Sequence, residues 1–194
     1  ARSADEAAQA GAQLGWPVAM KASAAGLAHK SDVGGVALGL TSEAEVRHAF
    51  VEMERAVAAA GKAMDGALLQ PMVADGQEVI LGVVRDEQFG PLVMFGSGGV
   101  EVEGLHDVAF ALAPLTPGDA DHLLQSTWAG RKLHGYRSLP AADRQAVIDA
   151  LLRIGQLALD CPEVVEVEIN PLRVLPSGKG ALALDVRLRL TDQA

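Results

Sequence analysis

The chain has 194 residues, 49% hydrophobic and 21% charged, with a formal net charge of −9. That length buries the core of one domain or of two small lobes, and the negative charge argues against nucleic acid or an anionic membrane surface as partner. The single Cys161 excludes an internal disulfide and a cysteine zinc site, no apolar run nears the ~18 residues of a membrane span, and no signal peptide is visible.

Ser3-Ala-Asp-Glu6 reads as a capping box that opens an Ala-rich helix ending near Gly15. The start at Ala1, close to that cap and without Met, reads as a domain cut from a longer protein. Trp16 to Lys21 is expected as a short strand, residues 22–35 as a polar loop, and Gly35 to Leu40 as a second strand. Ser42-Glu-Ala-Glu45 is another capping box. Behind it Val46, Phe50, Met53 and Val57 recur at helical spacing until Gly61. Ala67 to Val73 reads as a strand interrupted by Pro71, with a lobe boundary near the Asp75-Gly76 turn.

Glu78–Val84 and Leu92–Phe95 follow as strands, then a flexible Gly96-Ser-Gly-Gly99 stretch. Asp107 to Leu112 is read as a helical turn. Thr116-Pro-Gly-Asp119 starts a helix, with Thr as cap and Pro in the first turn. Arg131, Lys132 and Arg137 are read as a solvated basic loop around Tyr136. A long amphipathic helix is expected from about Ala142 to Asp160, with Val147, Leu151, Ile154 and Ala158 on one stripe.

The chain closes on Glu166-Val-Glu-Ile-Asn170-Pro-Leu and Ala-Leu-Asp185-Val-Arg-Leu. Alternation puts Glu166, Glu168 and Asn170 on one side of a strand and Val167 and Ile169 on the other. Pro171 is expected to stop the ladder, and the return through Pro176, Gly178 and Gly180 to bring Asp185 beside Asn170. An amide and a carboxylate oxygen with room for water and phosphate suit a magnesium ion holding a nucleotide; the alternative is a solvated edge strand.

Lys21, at the end of an apolar strand, either snorkels to water or meets an anion. His29-Lys30-Ser31-Asp-Val-Gly34-Gly35 supplies a cation, a hydroxyl and paired glycines able to wrap phosphate oxygens; the alternative is a surface loop that turns on Gly. Pro71 leaves backbone groups free beside Met72 and Val73, as an adenine edge requires, and Glu78 lies just beyond as an acceptor for ribose hydroxyls. Taken alone, the segment reads better as an edge strand with a bulge. His106, His122 and His134 lack mutual metal-ligand spacing.

Taken in order, Lys21, His29-Lys-Ser-Asp-Val-Gly-Gly35, Gln70-Pro-Met-Val73, Glu78, Arg85-Asp86, Phe89 to Gly96, Gly98-Gly-Val100, Glu103, Asp107, Glu168-Ile-Asn-Pro-Leu172 and Asp185 resemble the ATP-grasp domain of ADP-forming acyl-CoA synthetases. These are the acetate–CoA ligase type, related to the succinyl-CoA synthetase β subunit. The resemblance implies an α+β ATP-grasp fold whose two α+β lobes hold nucleotide in a cleft between them. Residues 1–75 would be the small lobe, truncated at its N-terminus by about two dozen residues, and 76–194 the large lobe. It also implies ATP/ADP and Mg²⁺ as cofactors. Lys21 would hold the α/β phosphates, with Lys30, Ser31, Gly34 and Gly35 in the phosphate loop. Gln70, Met72 and Val73 would meet adenine, Glu78 ribose, and Asn170 and Asp185 the metal. His29 would carry a phosphoryl group between a distant acyl-phosphate site and ADP, with Glu168 assisting. The implied partners are CoA-binding and acyl-phosphate-forming modules in a cytoplasmic enzyme, without nucleic acid or membrane. In some relatives such modules are fused to a protein acetyltransferase domain, which makes a silent nucleotide-sensing role the alternative. Ser138 after Arg137 departs from the usual Arg-Gly.

Overall fold

Ser3 begins the fold by accepting the Glu6 N–H and capping helix α1, Ala4–Leu14. The computed structural model describes residues 1–27, 30–73, 75–98 and 107–191, and the chain divides into two compact units, Ala1–Ala74 and Asp75–Ala194. In the first unit, α1 is followed by β1 (Val18–Ser23), β2 (Val36–Leu40), α2 (Glu43–Ala59) and β3 (Gly66–Pro71). The sheet is antiparallel in the order β2-β1-β3. Both expected capping boxes differ in one detail. The Glu6 and Glu45 carboxylates accept the N–H of Arg2 and Thr41, one residue before each serine cap, at 2.7 Å.

Helix α2 ends in a Schellman motif: Lys62 N–H donates to Val57 and Gly61 N–H to Ala58, with Gly61 at φ 72°. Its stripe Val46, Phe50, Met53 and Val57 is buried against Val18, Met20 and Ala22 of β1. Gly39, at φ 71°, forms a bulge that keeps both Ala37 and Leu40 on this core side.

The second unit contains β4 (Gln77–Asp86), β5 (Gly90–Ser97), β6 (Val108–Leu112), α3 (Pro117–Ser126), α4 (Trp128–Lys132), α5 (Arg144–Asp160), β7 (Val164–Val174), β8 (Ala181–Ala183) and β9 (Val186–Leu190). Its sheet runs β6-β5-β4-β7-β8, and β9 also pairs with β7. Val79, Leu81, Val83, Val93 and Phe95 pack against Val147, Leu151, Ile154 and Ala158 of α5. Helix α3 carries the complete capping box read at Thr116 and Asp119.

Three expectations are corrected. Val108–Leu112 is a strand rather than a helical turn: its period is two, with Ala109 and Ala111 packed on the core while Val108, Phe110 and Leu112 are exposed. Small inward residues disguised that alternation. Arg131 and Lys132, read as part of a loop, belong to the helical turn Trp128–Lys132, which forms because Thr127 Oγ1 and the Asp107 carboxylate accept its first N–H groups. Finally, Pro171 does not stop the ladder. Leu81 pairs with Ile169 and Val79 with Leu172, so Asn170 and Pro171 together oppose Ile80. At such a bulge an absent N–H is tolerated. The extra residue shifts the alternation, so that Val167 and Ile169 before it and Leu172 and Val174 after it all serve the core.

Candidate functional site

Strand partners share a face of a sheet, and α5 covers only one face of the six-stranded sheet. On the other face the register gives ordered rows. One runs Leu112, Leu92, Val84, Glu166, Arg189; the next Phe110, Met94, Gly82, Glu168, Arg187. The face is therefore apolar over β4–β6 and charged over β7 and β9. Gly82 brings no side chain to the floor beside Glu168, and a Cβ there would lie 2.6 Å from the Val167 carbonyl oxygen.

Beyond those rows lies the bulge. Asn170 N–H donates to the Asp185 carbonyl at 3.1 Å and Leu184 N–H to the Pro171 carbonyl at 3.0 Å. The outer edge of β7 is thus shared by two short strands, β8 and β9, with Asp185 at their junction opposite Asn170. Strand alternation places Glu168 and Asn170 on the open face, and Asp185, just before β9, lies opposite Asn170. Among the described residues no three His, Cys, Asp or Glu groups form a complete metal cage. An amide and a carboxylate oxygen are instead the partial donor set of a hard cation that keeps other positions for water and phosphate. Glu78 shares this face, but its carboxylate is joined to Arg173 at 2.7 Å.

The same end of the sheet is fastened by Asp107. Its carboxylate accepts from Ser97 Oγ at 2.8 Å, Trp128 N–H at 2.7 Å and Ala129 N–H at 2.8 Å. Burial raises the Asp107 pKa, but the Trp128, Ala129 and Ser97 hydrogen bonds and the Arg131 charge outweigh it and hold the carboxyl below the usual aspartate range. Gln77 Nε2 donates to the Lys132 and Pro140 carbonyls, tying the following loop to β4. In that loop Trp128 and Tyr136 meet edge to face at 4.9 Å, and Arg131 and Arg137 lie over their rings at 5.9 and 5.2 Å. The basic residues are therefore partly ordered by aromatic contact rather than simply solvated.

In the first unit, the β1 register places Lys21 opposite Val36 and Leu68, and Ala19 opposite Gln70. Lys21 and Gln70 consequently share the sheet face away from the Met20 core. Lys30 and Ser31 open a 3-10 turn, Ser31–Val33. Gly34 N–H donates to Ser31 and Gly35 N–H to Lys30, at 3.2 and 2.7 Å, and Gly34 sits at φ 71°. Both glycine amides are thus engaged within the loop, which they shape. Likewise Met72 N–H donates to the Pro17 carbonyl at 3.0 Å and is not free for a base edge. Val73 is half-buried. His29 lies outside the described residues.

A recess of about 550 Å³ lies on the helix-bearing face of the second unit, lined by Ala150, Arg153, Leu157, Val186 and Leu188 among others. Ile169 is the one residue of the Glu168–Asn170 segment that reaches it. Among the described residues no helix is long and apolar enough to cross a membrane.

The model of the ATP-grasp domain family matches residues 1–190. The chain belongs to the ATP-grasp family. Its ATP-grasp sequence is 42% identical over 195 residues to acetate–CoA ligase [ADP-forming] I of Archaeoglobus fulgidus, covering 100% of this chain and 28% of that one. It is 38% identical over 192 residues to the acetate–CoA ligase [ADP-forming] I subunit beta of Pyrococcus furiosus, covering 98% of this chain and 82% of that one. The chain thus spans about a quarter of the single-chain ligase but most of the separate β subunit, and corresponds to the ATP-grasp part of each. Among solved structures, the dinucleotide-forming acetyl-coenzyme A synthetase 1 of Ca. Korarchaeum cryptofilum, in complex with coenzyme A, Ca-AMPCP and HgCl+, superposes with a TM-score of 0.91 at 39% identity, covering 98% of this chain and 83% of that one. Another structure of that synthetase holds coenzyme A and Mg-AMPPCP, with its phosphohistidine segment pointing towards the nucleotide binding site; here the TM-score is 0.81 at 38% identity, over 96% and 82% of the two chains. The α+β ATP-grasp fold is therefore established.

Arg173, Asp107 with Ser97, and Arg187 had no place among the expected site residues. Asp107 entered only as part of the family pattern, and its pairing with Ser97, ten positions away, carries no local signal. Arg187 did carry one: two residues after Asp185 in the sequence, it alternates with Val186 and Leu188.

Proposed function

We propose that the chain is the nucleotide-handling part of an ADP-forming acyl-CoA synthetase, catalysing reversible phosphoryl transfer between nucleotide and a phosphohistidine. The full reaction is acid + CoA + ATP to acyl-CoA + ADP + phosphate, completed with CoA-binding and acyl-phosphate-forming modules on the same polypeptide or a separate subunit. The observation that carries this reading is the meeting of Asn170 and Asp185 across the β7 bulge, with Asn170 on the open sheet face that also holds Glu168. The relatives of Archaeoglobus fulgidus and Pyrococcus furiosus are ligases, which favours an enzyme over a silent module fused to an acetyltransferase. The reading places the protein in the cytoplasm, where its substrates reside.

In this account residues 1–75 act as the small lobe and 76–194 as the large lobe. Lys21 and Lys30 neutralise phosphate charge, Ser31 donates its hydroxyl to a phosphate oxygen, Gln70 and Val73 contact the base, Met72 adds apolar contact, and Glu78 accepts from ribose. Gly34 and Gly35 hold the turn that presents Lys30 and Ser31. Asn170 and Asp185 would hold Mg²⁺, which when bound offsets the charge of the nucleotide phosphates. His29 carries the phosphoryl group, and Glu168 orients its imidazole. In the ATP-forming direction a terminal oxygen of ADP attacks the phosphorus. The P–N bond then breaks with its electron pair left on the imidazole nitrogen. The protein contributes chiefly position and charge.

Calorimetry on the full-length protein with MgADP tests the reading: binding is expected, weakened by Lys21→Ala. Label from γ-phosphate-labelled ATP is expected on the protein and absent in His29→Ala. A folded full-length protein that neither binds MgADP nor takes up label would overturn it.

A further inference from the structure

We infer that Arg187 is a further catalytic residue, a guanidinium that meets the phosphoryl group in flight between nucleotide and histidine. The inference rests on the phosphoryl-transfer reading and names one more group for the same site. Its basis is a contrast between two adjacent rungs of the β7–β9 ladder. Glu166 faces Arg189 and Glu168 faces Arg187, with the same residue types, the same strands and the same open face. The first rung is closed, with Arg189 Nε donating to Glu166 at 3.0 Å. The second is open: among the described residues neither the Glu168 nor the Arg187 side chain makes a hydrogen bond or an ion pair, although their backbones are direct partners.

An exposed cross-strand ion pair gains little by closing, so leaving it open costs little. Where it stands open matters more. Arg187, the second residue of β9, follows Asp185 by two positions and lies directly across from Glu168, whose other neighbour is Gly82. A planar guanidinium there has two parallel N–H donors and no internal acceptor, beside a Gly82 that brings no side chain of its own, with Met94 Cε 3.7 Å from where a Gly82 Cβ would stand. That geometry matches the oxygens of a phosphoryl group carrying charge through an in-line transfer. Arg189, one rung further from the bulge, is tied to Glu166 and cannot serve in this way without breaking its pair.

The test uses the full-length protein and a mimic of the transferring phosphoryl group. MgADP binding is measured by calorimetry with and without fluoroaluminate in wild type, Arg187→Met, Arg187→Lys and Arg189→Met. Fluoroaluminate is expected to tighten MgADP binding by wild type and by Arg189→Met. In Arg187→Met that gain falls by about 10-fold or more while the affinity for MgADP alone stays within about 3-fold, and Arg187→Lys recovers only part of it. Circular dichroism confirms that each variant is folded. If Arg187→Met keeps the whole fluoroaluminate gain, this assignment is overturned and the nucleotide reading stands. If wild type fails to bind MgADP, both are overturned.

Discussion

Glu78 and Arg173 face each other across β4 and β7 and are joined by an ion pair of 2.7 Å. The pair fixes the carboxylate at the edge of the charged half of the sheet, with one oxygen, Oε1, engaged. If Glu78 receives ribose hydroxyls, wild type should bind ADP about 10-fold or more tighter than 2′,3′-dideoxy-ADP, the scale of a hydrogen bond to a charged group. Glu78→Gln should reduce that preference sharply, and Arg173→Met should reduce it in part by freeing the carboxylate to wander. Full preference in Glu78→Gln, measured by competition binding, would remove Glu78 from the site.

Asn170 and Asp185 are predicted to act together. Asn170→Ala and Asp185→Ala should each weaken MgADP binding by about 10-fold or more, and the double variant by less than the product, because partners in one site are not additive. The magnesium dependence of affinity should flatten in both. Circular dichroism confirms that each variant is folded. A loss of affinity that is equal with and without magnesium would contradict a metal-holding role.

The Asp107 clamp gives a pH prediction. Its carboxyl is held below the usual aspartate range in the folded state, so the clamp contributes fully above the unfolded value of about 3.9. That contribution disappears as pH falls through the lower folded value. Asp143, which accepts from Gly180 and Ala146 N–H, is lowered for the same kind of reason and adds in the same direction. Asp107→Asn should cost about 1 kcal/mol at neutral pH, as lost caps do. Its stability should also fall less steeply than wild type in acid. Denaturant melts at pH 7 and below pH 4 check both points; parallel curves would refute the clamp.

Packing makes the last prediction. Leu151 is fully buried in the α5 core, and Leu151→Ala should destabilise by about 2–5 kcal/mol. Gly130 lies against Leu124, whose carbonyl oxygen would stand 2.0 Å from an added Cβ. Gly130→Ala should therefore cost about 1–3 kcal/mol by forcing the backbones apart. Urea denaturation measures both, and a neutral Gly130→Ala would show that the α3–α4 junction can spread.

Most elements were legible because their signals are local. The α2 stripe from Val46 to Val57, the Thr116 cap and the α5 stripe through Leu151 depend on neighbours within a turn or two of chain. Strand β6 was missed because its inward residues are alanines, too small to mark a buried face. Pro171 misled because a proline breaks a ladder only where its N–H is needed, and a bulge removes that need. The site was legible in part for the same reason: alternation alone relates Glu168 to Asn170.

Spacing and residue chemistry were enough to order the elements, to single out Lys21, Asn170 and Asp185, and to suggest the family. Folding in three dimensions decided which polar groups are already engaged and which stand open. Gly34, Gly35 and Met72 lost their free amides to loop and strand partners, and Glu78 gained Arg173 from 95 positions away. The physical reason is that a hydrogen-bonding group is satisfied by whatever the packed chain brings within about 3 Å. Distance along the chain does not report that distance in space.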